Sequence, residues 1–148
     1  MRELHTEIEI HATAERVWEL LTDLPGYPQW NPFIRRASGG IEVGTRLEVY
    51  LQPHGGRGMA FRPTILKVEP SRELRWLGNL IIPGLFDGEH IFLIEKVGEE
   101  RVRFIQREVF TGLLVPLLWR GIETGTRRGF EEMNNALKAG AEEKGIEL

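Results

Sequence analysis

Between about Phe33 and Phe110 the chain reads as strand after strand with only turns between them, and beyond that stretch there is a single helix long enough to cover a sheet. The run Thr45 to Leu51 alternates, with Leu47, Val49 and Leu51 on one face and Arg46, Glu48 and Tyr50 on the other. Gly55-Gly56-Arg57-Gly58, Glu69-Pro70-Ser71-Arg72 and Gly98-Glu99-Glu100 supply the turns. Five or more consecutive strands at this spacing predict an antiparallel meander. A sheet bent round one helix rarely fills its concave side with side chains. An apolar cavity is therefore expected.

The flanking segments complete the plan. Leu4 to His11 alternates as a half-buried strand, with Leu4, Ile8 and Ile10 on its apolar face. Thr13 has the place of a helix N-cap, Glu15 lies in the first turn where its charge suits the helix dipole, and Val17, Leu20, Leu21 and Leu24 follow at helical spacing up to Pro25-Gly26. Tyr27 to Pro32 is too rich in proline for more than a second short helix or a tight turn. At the other end, Pro116 is tolerable only in the first turn of an apolar helix from Leu113 to Trp119. Phe130, Met133, Leu137 and Ala141 then recur at intervals of three and four, the buried stripe of the long helix. Gly121, Gly125 and Gly129 recur every four residues, so a continuous helix would stack them along one side, where bulk is unwelcome. The sum is an α+β domain over residues 1–148: a curved antiparallel sheet of about seven strands round a long C-terminal helix, with two short helices after the first strand.

Composition narrows the partners. A chain of 148 residues, 41% hydrophobic and 28% charged, suits one globular domain. The absence of an apolar run near the ~20 residues of a membrane span, and of a leader pattern, predicts no stable membrane insertion and a cytoplasmic location. A net charge of −3 gives no electrostatic case for nucleic acid. Without cysteine there is no thiolate site or nucleophile, and His5, His11, His54 and His90 have no ligand spacing, so neither metal nor cofactor is expected.

The order of elements and several short motifs resemble the START-like helix-grip superfamily, the polyketide cyclase/dehydrase and lipid-transport group also called SRPBCC proteins. The resemblance is carried by Ala12-Thr13-Ala14-Glu15-Arg16-Val17-Trp18 leading to Asp23, by Tyr27 to Pro32, by Phe86-Asp87-Gly88-Glu89-His90, and by Phe110-Thr111-Gly112 with Gly129 to Asn134. It implies the helix-grip fold and the binding of lipids, polyketides, hormones or quinones, with catalysis in a minority and co-chaperone-like roles in others. No fixed catalytic set is carried over with it.

Alternation on the strand Val102 to Phe110 puts Phe104, Gln106, Glu108 and Phe110 on one face. A carboxylate among aromatics has a raised pKa unless paired, so Glu108 could anchor a ligand's polar end or move a proton; the plainer reading pairs it with an arginine near the rim. His90, with Phe92 and Ile94 at its parity, is a ligand contact or a proton-transfer partner of Glu108, or else a structural histidine, since Ile91 and Leu93 on the other parity are apolar as well. Trp30, Phe33, Phe61, Trp76, Phe86 and Phe92 are candidate walls, as are Phe104, Phe110, Leu114, Leu118, Phe130 and Met133. Ordinary core is the usual fate of such residues. The loop Leu80 to Phe86 is apolar yet marked by Pro83 and Gly84, which suits a gate, a homodimer or partner surface, or a flap tucked over the last helix. Three functions follow. The first is binding or transport of a hydrophobic small molecule such as a lipid, polyketide-like aromatic or isoprenoid. The second is an aromatase/cyclase or dehydratase-type enzyme using Glu108 and His90, and the third a co-chaperone-like interaction module.

Overall fold

The computed structural model describes every residue except His54, Ile81 and residues 144–148, so the readings made on His54 and Ile81 lie outside the described residues. Among the described residues, eight strands form two antiparallel sheets. Five of them, β1 (Arg2–Ile10), β8 (Arg101–Thr111), β7 (Phe86–Gly98), β6 (Glu73–Leu80) and β5 (Thr64–Glu69), lie side by side in that order. The others, β2 (Ile34–Ser38), β3 (Glu48–Leu51) and β4 (Met59–Phe61), make a smaller sheet linked to the larger one by an isolated bridge between Arg46 and Thr64. Thr45 to Leu51 was read as one strand, but its first half pairs with β5 and its second with β2 and β4. Leu47 and Val49 are nonetheless buried, as the alternation requires.

Helix α1 (Ala14–Thr22) starts where expected, with the Thr13 hydroxyl accepting from the Arg16 amide at 3.1 Å. A single 3-10 turn at Leu24–Gly26 leads into the four-residue α2 (Tyr27–Trp30), where the buried Tyr27 hydroxyl donates to the Leu21 carbonyl. The C-terminal helix runs in three pieces: α3 (Val115–Gly121), a wide π-type turn (Ile122–Thr126) and α4 (Arg127–Glu142). Phe130, Met133 and Leu137 of α4 are fully buried and Ala141 nearly so. Each large side chain so removed from water contributes ~1.5–3 kcal/mol. Polar contacts tie α4 to β1 and to the residue after it, among them Arg127 to the His5 carbonyl at 3.2 Å, Lys138 to the Glu9 carbonyl at 3.0 Å, and the His11 amide to Glu142 at 2.8 Å. The three glycines do not act together, because the π turn breaks the four-residue stacking. Gly129 meets the Phe33 ring, whereas Gly121 faces open space.

Candidate functional site

Strands β7 and β8 lie at the middle of the large sheet, and their register sets His90 opposite Glu108 and Phe92 opposite Gln106. The inward parity of β7 is the one His90 shares with Phe92 and Ile94. The sequence left this face open because Ile91 is buried too. On the outer face Ile91 is flanked in register by Arg75 and Arg107, whose long stems can cover it while their guanidinium groups pair with Glu73, Glu89 and Glu3.

Below α4 the inward side chains interlock. The imidazole of His90 stacks on Phe92, with ring centres 4.1 Å apart and planes 15° from parallel. Trp76 meets both edge-on, at 5.6 Å and 5.0 Å, and Phe130 approaches His90 at 4.9 Å from the helix side. Phe33 stands edge-to-face with Phe130 at 5.5 Å. Trp76, Phe92, Phe104, Phe130 and Met133 have at most 1% of their surface accessible, which leaves no water-sized space beside them. The expectation of an empty room between sheet and helix therefore does not hold at this level: edge-to-face rings fill it.

A chain of hydrogen bonds runs through this packing. The Gln106 amide nitrogen donates to the Phe130 carbonyl at 3.3 Å and to Asn134 Oδ1 at 2.7 Å. Asn134 Nδ2 donates to the Thr6 hydroxyl at 3.0 Å. Gln106 Oε1 lies 2.9 Å from His90 Nε2. On its other side His90 turns Nδ1 toward Glu108 Oε1, 3.7 Å away and beyond hydrogen-bond length. Asn134 and Thr6 were not expected from the sequence. Thr6 shares the parity of Leu4 and Ile8, and that was the only signal available for it.

Glu108 has no arginine partner, so the rim ion pair anticipated as its plainer role is absent among the described residues. Its side chain keeps 17% exposure, and burial pushes its carboxyl up to about 8. Burial pulls the imidazole of His90 down to about 3, against a smaller opposing effect of the Gln106 hydrogen bond. At neutral pH both groups are uncharged. The signs follow. Glu108 favours the folded state fully below pH 4.5, its ordinary value, and this contribution is lost as pH rises through about 8. His90 contributes above pH 6.5, and its contribution is lost as pH falls toward about 3. Glu108→Gln should therefore unfold at a higher temperature than the unaltered protein at pH 9, by several degrees for a gain of ~2 kcal/mol, and match it near pH 4. Thermal unfolding across pH checks this; a variant that loses ground at pH 9 would contradict it.

Beyond Glu108 the grip ends at α3 and the β6–β7 loop. Phe86 and Phe110 are 5.7 Å apart, and Phe110 meets Trp119 of α3 at 5.9 Å with the Arg2 guanidinium over the indole. Leu114 is half-buried, while Leu118 is 43% exposed and Ile82, Leu113 and Leu117 stand in water. The β6–β7 loop is tied down here: the amides of Leu113 and Leu114 donate to the carbonyls of Gly84 and Leu85, and Asp87 accepts from the Gly84 amide. Phe61 lies elsewhere, in a groove of about 610 Å3 between the α1–α2 turn and the small sheet that also takes in Val49 and Tyr50. Near that groove's helical side, Trp30 Nε1 and Asn31 Nδ2 are buried without a hydrogen-bond partner among the described residues, while Asn31 Oδ1 accepts from the amides of Phe33 and Ile34.

The sequence matches the family model described as polyketide cyclase/dehydrase and lipid transport over residues 1–142. No curated protein matches it. Among solved structures, the Zhui aromatase/cyclase from Streptomyces sp. R1128 is similar over 95% of this chain and 93% of its own, at 17% identity and a TM-score of 0.79. A START superfamily protein from Mycobacterium smegmatis covers 95% and 97%, at 19% identity and 0.74. Norcoclaurine synthase from Thalictrum covers 93% and 91%, at 16% identity and 0.71. Identities this low speak for the fold alone.

Proposed function

Because this chain belongs to the polyketide cyclase/dehydrase and lipid-transport family, we propose that it binds a hydrophobic small molecule at the end of the grip formed by α3 and the β6–β7 loop, with the molecule's polar group turned inward to Glu108 and His90. The observation that carries the reading is Glu108. It is a largely buried carboxyl 3.7 Å from the His90 ring and close over Gly88, and no described residue donates a hydrogen bond to it. Leaving such a group without a partner costs ~1–3 kcal/mol, which a bound polar atom would offset. Apolar side chains at the same end supply the rest: Leu118, Leu113 and Ile82 lie in water, and covering them contributes roughly 25 cal/mol per Å².

Native mass spectrometry of protein isolated gently from its own cells tests this. The expected spectrum has a second peak at the mass of a retained small molecule, lost on denaturation. Protein that is always bare, and that also fails to retain added lipids, polyphenols or isoprenoids, contradicts the proposal.

One observation favours catalysis as a second reading. A neutral carboxyl and a neutral imidazole face each other at 3.7 Å, so one can deliver a proton while the other withdraws one. On this reading Glu108→Gln and His90→Ala abolish turnover of a reactive polyketide-type chain yet leave its binding intact. Full activity in both variants removes it.

A further inference from the structure

The hydrogen-bond chain behind His90 has only one self-consistent direction, and that direction fixes what the front of the ring can do. A backbone carbonyl only accepts, so the Gln106 nitrogen, not its oxygen, must face Phe130 O. The Gln106 oxygen is thereby turned to His90 Nε2, which must carry the proton of that bond. Asn134 is oriented by the same logic, accepting from Gln106 and donating to the Thr6 hydroxyl. A neutral imidazole protonated at Nε2 leaves Nδ1 as a bare acceptor. That lone pair points to the side of Glu108, the only chargeable neighbour of the ring there among the described residues.

Resting on the binding reading above, we propose that Gln106 and Asn134 are positioning residues that lock His90 with Nδ1 unprotonated, so that the site receives an uncharged hydroxyl or enol of its ligand and rejects a carboxylate. A hydroxyl has both a hydrogen for Nδ1 and lone pairs for a donor. Nδ1 and Glu108 Oε1 are 3.7 Å apart, so one oxygen bridging them at about 2.8 Å from each would sit to one side of the line between them. A carboxylate could accept from the Glu108 acid but has no hydrogen to give, so it would set its charge against the lone pair of Nδ1. No lysine or arginine is among the buried described residues to offset its charge. Burial keeps the proton on the Glu108 carboxyl, which supplies the donor for the hydroxyl's lone pair.

Two measurements test the proposal separately from the reading beneath it. The first needs no ligand: ¹⁵N spectra of the histidine rings at pH 7, with His90 assigned through His90→Phe. The expected pattern is a protonated Nε2 and a bare Nδ1. A ring protonated at Nδ1, or an imidazolium, overturns the lock. Gln106→Met keeps the volume but removes the acceptor, and it should let both tautomers appear; an unchanged single tautomer would show that Gln106 does not set it.

The second compares 1-naphthol with 1-naphthoate, which share a ring system and differ in the polar group. The unaltered protein should favour the phenol by roughly tenfold or more, as expected when one partner keeps a hydrogen bond and the other buries an unpaired charge. Gln106→Met should bring the ratio toward unity. Naphthoate bound as well as naphthol overturns the ligand assignment. If neither binds, the ligand assignment falls together with the binding reading, while the ring spectra still decide the lock.

Discussion

Phe130→Ala should lower the stability of this protein by about 3–5 kcal/mol, equivalent to a fall of about 10–15 °C in Tm for a chain of this size. The ring has no accessible surface and stands between two others, edge-to-face with Phe33 at 5.5 Å and tilted over His90 at 4.9 Å. Neither neighbour can close the gap. Phe33 is fixed by strand β2 behind it, and His90 is held by Gln106. The loss is therefore both the transfer of a phenyl group and the empty volume left beneath α4. Because that volume is lined by rings, millimolar indole should stabilise this variant by more than it stabilises the unaltered protein. Thermal unfolding with and without indole measures both. A fall of less than ~1 kcal/mol would show that the centre of the grip is not packed as described.

The second large effect separates two glycines that look alike in the sequence. A Cβ at Gly129 would overlap the ring of Phe33, which is itself buried against Phe130. Gly129→Ala should therefore destabilise by about 2 kcal/mol or more, even though alanine is worth about 1 kcal/mol in a helix. At Gly121 a Cβ meets nothing within 4 Å, so Gly121→Ala should stabilise by about 0.5–1 kcal/mol. Opposite signs are expected in chemical denaturation. The same sign at both sites would contradict the close approach of α4 to Phe33.

This pair also illustrates what the sequence could and could not disclose. Local chemistry was legible: the Thr13 cap, the proline-rich α2, the inward parity of Phe104, Gln106 and Glu108 on β8, and the buried stripe of α4 each follow from spacing within one element. The glycine spacing misled because a π turn at Ile122–Thr126 shifts one half of the helix against the other, and no residue pattern marks that shift. The division into two sheets was hidden for a similar reason, since alternation continues unbroken through Thr45 to Leu51 while its partner changes. Asn134 and Thr6 lie 128 residues apart, and their bond exists only once α4 has docked on β1. The filled centre was missed because apolar spacing tells which residues turn inward but not whether they meet.

The proposed ligand is held against β7 and β8. Two-dimensional amide spectra recorded while 1-naphthol is added test that directly. The largest shifts should fall on β7 and β8 around His90, Glu108 and Phe110, with smaller ones at Leu114. Shifts confined instead to Val49, Tyr50 and Phe61 in the groove against the small sheet, with His90 and Glu108 unmoved, would contradict it.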